Sequence, residues 1–290
     1  MTRPLSPEEM FPAGHPNITV RYLQLSTGVR LRVVESGPAD GQPVVMLHGW
    51  CASAYMYRHA FERLPPAGLR AIAVDLRGYG LSDKPGGPGA YSLDAYCADL
   101  DALLGALELT QAVLIGQSMG GGLALRYALR NPARVSRLVL VNPVGLVSIA
   151  YVRVLRMFPR PALVAIGRRL VPRLLIELIL RYLAYGDPSK PSERDVDEYW
   201  APTQLAGFVN AALAALGEFN WRPITDREAQ SLVVPTAAIL GTKDRLIPHA
   251  GTAAGRLAGA VVHKSEGGHC VLEEAPAAVY KIITEFLIGV

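Results

Sequence analysis

Gly116-Gln117-Ser118-Met119-Gly120 lies between a short apolar segment, Gln111 to Ile115, and a helical run, Gly121 to Arg130. Strand, G-x-S-x-G, helix is the setting in which this pentapeptide forms a sharp elbow that lifts a serine hydroxyl above the edge of a sheet. Glycines flank the turn because it leaves no room there for a Cβ. The helix that follows brings the positive end of its dipole beneath the hydroxyl. Without its flanks the pentapeptide would say little, since glycine and serine are common. The strand and the helix give it weight.

Outward from the elbow, Pro43 to Leu47 is a continuous apolar run of the kind expected of a strand buried on both faces. Leu69 to Val74 is a second, closing at Asp75, and Val135 to Val141 follows the stop signal Asn131-Pro132. Tyr55 to Leu64 reads as a helix ending before Pro65-Pro66. Ser92 reads as the N-cap of a helix to about Leu107, with Leu93, Tyr96, Leu100, Leu103, Leu104 and Leu107 at helical spacing. Such alternation predicts a mostly parallel sheet with helices on both faces. Upstream, Thr19 to Leu25 and Arg30 to Glu35 flank the turn Ser26-Thr27-Gly28 and predict an antiparallel hairpin. Residues 1–17 read as an irregular surface arm.

The alternation stops after Asn142-Pro143. From Val144 to Trp221 the pattern is helical, cut by Pro159-Arg160-Pro161, Pro172, Gly186-Asp187-Pro188 and Pro223. It resumes with Val233 to Gly241 (strand), Pro248 to Leu257 (helix), Ala260 to Lys264 (strand) and Pro276 to Phe286 (helix). The expected organisation is a core over 1–143 and 226–290 with a helical cap over 144–225.

Half of the 290 residues are apolar and 19% are charged, enough to bury a full core. A net charge of +4 is too mild to suggest nucleic acid. The excess is local: Tyr151 to Gly186 holds Arg153, Arg156, Arg160, Arg168, Arg169, Arg173 and Arg181 against Glu177 alone. This segment admits three readings. It is a cap with leucines and isoleucines inward and arginines in water, an amphipathic face resting on a membrane or lipid aggregate, or a surface for a partner. Cys51, Cys97 and Cys270 have neither disulfide nor metal-ligand spacing. The first sixteen residues lack the apolar stretch of a signal peptide, and no run of about 20 apolar residues spans a bilayer. A cytoplasmic protein without cofactor or metal is expected.

A serine hydroxyl is a weak nucleophile at neutral pH and needs a positioned base. His269, in Glu266-Gly267-Gly268-His269, follows the last strand on a loop. The imidazole in turn needs a carboxylate to hold its tautomer. Asp244, in Gly241-Thr242-Lys243-Asp244, sits just past the preceding strand. An oxyanion hole would combine the N–H of Met119, the residue after the nucleophile, with one from His48-Gly49-Trp50, expected at Trp50.

Together, His48-Gly49, Asp75-Leu76-Arg77-Gly78-Tyr79-Gly80-Leu81-Ser82, Gly116 to Gly121, Gly241 to Asp244 and Gly267-Gly268-His269 resemble the capped α/β-hydrolases. That group contains carboxylesterases, carbon–carbon bond hydrolases, epoxide hydrolases and haloalkane dehalogenases. The resemblance implies an eight-stranded, mostly parallel sheet with a cap inserted after strand 6, and the triad order Ser118, Asp244, His269. Epoxide hydrolases and dehalogenases carry aspartate at the elbow, so Ser118 disfavours both. Carbon–carbon bond hydrolases share Ser118-Met119-Gly120-Gly121, but usually have tryptophan where Cys270 stands. Trp50 with Ser118-Met119-Gly120-Gly121-Gly122 is closer to small esterases, some with perhydrolase side activity.

The leading expectation is therefore hydrolysis of a small carboxylic ester with an apolar part, in a pocket lined by Trp50, Met119 and Leu146. The alternatives are carbon–carbon bond cleavage and, in a different class, a non-catalytic ligand-binding protein on a hydrolase scaffold. His48 reads as a brace of the oxyanion loop and Asp75 as an organiser of its own loop. His249 and His263 read as surface residues, and Cys51 as a small buried side chain. Cys270 lacks the elbow a nucleophile would need.

Overall fold

The computed structural model describes residues 3–157, 171–248 and 250–289. At its centre lie β3 (Gln42–Leu47) and β5 (Ala112–Gln117), side by side in an eight-stranded sheet. Val44 to Leu47 and Val113 to Ile115 are fully buried, because helices cover both faces and leave no solvent side on which a polar residue could alternate. The strand order is β1-β2-β4-β3-β5-β6-β7-β8. The other strands are β1 (Thr19–Gln24), β2 (Arg30–Ser36), β4 (Leu69–Asp75), β6 (Val135–Val141), β7 (Thr236–Gly241) and β8 (Val261–Ser265). β1 and β2 form the expected antiparallel hairpin, and β2 runs antiparallel to β4; every later pairing is parallel.

Register positions the site. Leu47 pairs with Gly116, Gln117 with Val141, Val141 with Ile239, and Gly241 with Ser265. The carboxyl ends of β3, β5, β6, β7 and β8 are thus level, so the loops after them open at one edge, where open α/β sheets bind ligands.

The helices are α1 (Ala60–Arg63), α2 (Leu93–Ala106), α3 (Met119–Arg130), α4 (Ala150–Leu155), α5 (Arg173–Ile179), α6 (Glu193–Trp200), α7 (Phe208–Glu218), α8 (Asp226–Gln230), α9 (Ala250–Ala254), α10 (Val271–Glu274) and α11 (Pro276–Ile288). The helices α4 to α8 fall between β6 and β7, where the alternation broke. α2 starts as expected, the Ser92 hydroxyl accepting from Ala95 N, a cap contributing about 1 kcal/mol. All six of its periodic apolar residues are buried.

Three expectations change. The helix expected over Tyr55–Leu64 is a 3-10 turn, Ala54–Tyr57, then the short α1. Tyr57 is buried and donates to Leu47 O (2.9 Å), while the Arg58 guanidinium is drawn to Glu273 and Asp195; these anchors break the helix. The N-terminal arm is irregular but does not simply lie on the surface. Met10 and Phe11 are buried, Phe11 N donating to Glu198 Oε1 (2.7 Å) and Phe11 O accepting from Arg32.

The third concerns the first of the three readings of the arginine-rich segment, leucines and isoleucines inward with arginines in water, which does not hold along α5. On α5 and the π-helical turn Leu180–Ala184, it is Leu174, Leu175, Leu178, Ile179, Tyr182 and Leu183 that are exposed. Arg173 and Arg181 instead lie sideways in ion pairs with Glu177, Glu193 and Asp197. Acidic partners on the neighbouring α6 make this lateral placement favourable. Arg160, Arg168, Arg169 and the breaker Pro159-Arg160-Pro161 lie outside the described residues, as does His249.

Candidate active site

The elbow is built by crowding. Ser118 has φ 52° and ψ −116°, a conformation that costs a residue with a side chain about 1–3 kcal/mol. Three 3.0 Å hydrogen bonds hold it: Ser118 N donates to Val141 O, and Ser118 O accepts from the N–H groups of Gly122 and Val144. A Cβ on Gly120 would stand 2.0 Å from Leu47 O, so only glycine lets α3 begin against the end of β3. A Cβ on Gly49 would stand 3.2 Å from Ser118 Cβ, which puts the loop after β3 directly beside the serine.

Met119 is the fully buried first residue of α3, and Trp50 follows Gly49. Among the described residues the N–H groups of Met119 and Trp50 have no protein acceptor. The Trp50 indole donates to Ala212 O on α7 (2.9 Å) and meets Trp221 edge-on, so it also links the loop after β3 to the helical stretch between β6 and β7. Met119 and Leu146 are buried in one apolar cluster, with Trp50 packed against it.

His48 braces this loop. Its Nε2 accepts from Leu76 N (3.0 Å), so Nδ1 carries the proton toward Gly49 O (2.7 Å). Burial holds its pKa below the usual histidine value, against the opposing pull of Asp75 and Gly49 O. Asp75 is buried too and accepts from Ala54 N (2.7 Å), Leu81 N (2.8 Å) and Arg32 Nη1 (3.1 Å). Burial opposes its ionisation, but Arg32, His48 and these N–H groups outweigh it and keep its pKa below the ordinary carboxylate range. Both residues are used in holding structure.

On the other side of the elbow, His269 Nδ1 lies 2.8 Å from Asp244 Oδ2, with both side chains under a tenth exposed. Asp244 Oδ1 accepts from Leu246 N (2.8 Å) and Ile247 N (2.9 Å), which fixes the carboxylate plane. Burial raises the Asp244 pKa, yet its interaction with the His269 ring and the two N–H groups leave it below the usual value. A carboxylate on Nδ1 makes that nitrogen the donor and leaves Nε2 as a bare acceptor.

Two residues that the sequence reading passed over hold the histidine loop. The amide of Gln117, next to Ser118, donates to His269 O (3.1 Å). Asn142, at the end of β6 with φ 41°, donates from Nδ2 to Gly268 O and His269 O (both 3.0 Å) and accepts from Gly241 N (2.8 Å). Their signal is present: each is a polar residue that ends an apolar, buried run, Ala112 to Gly116 and Leu138 to Val141, and a buried amide needs partners. A third, Tyr151 on α4, is half-buried near enough to Cys51 and Asp244 for their charges to add to desolvation in raising its phenol pKa.

Cys51 and Cys270 directly follow Trp50 and His269 in the chain. Burial raises the thiol pKa of Cys51 and Cys270, which suits small apolar side chains and not nucleophiles. His263 is half-buried on β8. Among the described residues no group of three or more His, Cys, Asp and Glu could hold a metal, and no helix is long and apolar enough to cross a membrane.

The sequence pattern of the alpha/beta hydrolase fold matches residues 42–276, spanning the elbow, Asp244 and His269. This chain belongs to that family. It is 31% identical over 279 residues to a non-heme chloroperoxidase of Streptomyces lividans, covering 90% of this chain and 97% of the relative. Its fold superposes on Cfl2 from Burkholderia cenocepacia with a TM-score of 0.80 at 25% identity, over 93% of this chain and 96% of that one. A mutant of the meta-cleavage product hydrolase CumD superposes with a TM-score of 0.77 at 25% identity, over 93% and 98%.

Proposed function

We propose that this protein is a serine hydrolase of carboxylic esters with an apolar moiety, working through an acyl-enzyme on Ser118. The observation that carries the proposal is the buried Asp244–His269 pair, its loop held by Gln117, the residue directly before a strained, glycine-flanked serine. Such strain persists where the surroundings enforce it, and it gathers at reactive centres.

In the proposed reaction His269 Nε2 takes the Ser118 hydroxyl proton as Oγ bonds to the ester carbonyl carbon. The carbonyl oxygen becomes an oxyanion and accepts from the N–H groups of Met119 and Trp50. Where such a donor is removable, its loss costs about 10²–10³ in kcat. Collapse of the intermediate expels the alkoxide, which takes the proton from His269, and the acyl group stays on Ser118. Water then gives a proton to His269, attacks the acyl carbon, and the acid leaves as Oγ regains its proton. Asp244, kept ionised, stabilises the imidazolium in both halves. Trp50, Met119 and Leu146, with Tyr151 added, form the apolar wall.

The test is Ser118→Ala against wild type. Wild type is expected to hydrolyse short p-nitrophenyl esters and to be labelled by a fluorophosphonate, and the variant to lose labelling and roughly 10⁴–10⁶ of kcat while still folded. A wild type that neither labels nor turns over would favour a ligand-binding scaffold instead.

Carbon–carbon bond hydrolysis is the second reading, favoured by Ser118-Met119-Gly120-Gly121 and the likeness to CumD. A vinylogous diketone cleaved faster than any ester would put it first. The likeness to a non-heme chloroperoxidase makes hydrogen peroxide the other nucleophile to offer the acyl-enzyme, with a peracid as product.

A further inference from the structure

The turn α10 begins two residues after His269, and its last two side chains both reach from the core into the cap. Glu274 Oε1 accepts from Gly268 N (2.6 Å) and Gly186 N (3.0 Å), and its Oε2 from Gly186 N (2.9 Å) and Asp187 N (3.2 Å). Gly268 immediately precedes His269, while Gly186 and Asp187 follow the π-helical turn of the cap. One carboxylate therefore joins the two segments.

The backbones themselves are in contact there. Cys270 N donates to Ala184 O (3.1 Å), and a Cβ on Gly268 would stand 2.4 Å from Gly186 N. His269 is thus flanked on both sides by residues bonded to, or pressed against, the cap.

Glu273 makes a second connection. Its Oε1 accepts from the Tyr199 hydroxyl on α6 (2.5 Å), and its Oε2 from Tyr185 (3.2 Å) and Arg58. Arg58 continues to Asp195 on α6 (2.7 Å), which also accepts from Tyr55 (2.7 Å). Ion pairs buried this deeply add little net stability, because desolvation offsets the attraction; fixed geometry is the effect they supply.

We propose that Glu274, supported by Glu273, is a positioning residue that clasps the cap to the histidine loop, so that His269 stays in register with Ser118 only while the cap is seated. The inference rests on the reading of His269 as the base of an ester hydrolase. A binding site that must admit and release an apolar substrate then has a link between the seating of its cover and the competence of its base.

Glu274→Gln in the full-length protein tests this. A glutamine can present its oxygen to one side only, and its NH₂ then faces an N–H donor, so the link fails with almost no change in volume. Tyr199→Phe removes one hydroxyl from the cap side of the same cluster. Amide hydrogen exchange is expected to rise in residues 184–187 and 267–270 together in Glu274→Gln, and to a lesser degree in Tyr199→Phe. For ester substrates kcat is expected to fall roughly 10- to 100-fold in Glu274→Gln, the scale of a small misplacement of a reacting group, with KM changed less than about twofold. The pH dependence of kcat/KM is expected to shift with it.

Exchange that rises in only one of the two segments would overturn the clasp. Exchange that rises in both with unchanged kcat and pH profile would overturn the positioning role. A wild type inert to esters and fluorophosphonate would sink the hydrolase reading and the positioning role with it, while the exchange experiment would still decide whether the clasp exists.

Discussion

The serine elbow and the histidine loop stand within one site, yet opposite means hold them. The elbow is a backbone object. Gly120 fits against Leu47, Ser118 is locked by three main-chain hydrogen bonds, and no side chain is needed to define its path. The histidine loop is held by side chains from elsewhere in the chain: Gln117 and Asn142 from the strand ends, Asp244 from the loop after β7, and Glu274, which also reaches the cap. Steric exclusion leaves the elbow one conformation. A set of directional hydrogen bonds leaves the loop a position that can be lost one bond at a time.

The largest expected effect tests the elbow. Gly120→Ala would drive a Cβ into the Leu47 carbonyl, with neither backbone free to retreat at the middle of the sheet. The expected cost is about 4 kcal/mol or more, read as loss of soluble protein or a steep fall in Tm. A variant with wild-type Tm would show that the elbow is not held by crowding.

A smaller effect is expected in the histidine loop. Asn142→Asp replaces a donor to Gly268 O and His269 O with a carboxylate facing two carbonyls, while the bond from Gly241 N survives. Such a buried mismatch costs about 1–3 kcal/mol. Denaturant unfolding should show that loss, and ester kinetics a fall in kcat with the fold intact. Unchanged kinetics would mean that Gln117 and Glu274 suffice.

The smallest effect is a pH dependence that compares the two regions. His48 under the loop after β3 is held below its ordinary pKa by burial, and His59, beside the Arg58 cluster, is lowered to about 4 by burial together with Arg58 and Arg63. Both stay neutral in the folded protein over a range in which the unfolded chain binds protons. Stability should therefore decline as pH falls from about 6.5 toward 4. Asp75 and Asp244, with depressed pKa values, keep their stabilising charge through that window and lose it only at lower pH. His59→Gln should flatten part of the decline in Tm between pH 6.5 and 4. An unaltered slope would assign the decline to His48 and the elbow side.

Local chemistry explains which features were legible. The central strands were readable because burial on both faces forces uninterrupted apolar runs, and α2 because Ser92 and six periodic residues mark its start and inner face. Ser118, Asp244 and His269 could be nominated because each stands just past a readable strand. The broken helix after β3 was not legible, since its interruption comes from Arg58 reaching Glu273, 215 positions away. Which way the side chains of α5 face stayed open for the same reason: composition shows how many arginines and leucines a helix has, and the carboxylates of α6 decide which way they turn.

By itself, then, the sequence determined the sheet, the elbow and the family, because these rest on steric rules and burial patterns that act within a few residues of one another. Only the tertiary structure decided what holds His269 in place. That work falls to Gln117, Asn142 and Glu274, polar side chains whose partners lie on other elements, and a hydrogen bond between distant segments leaves no period or spacing in the chain.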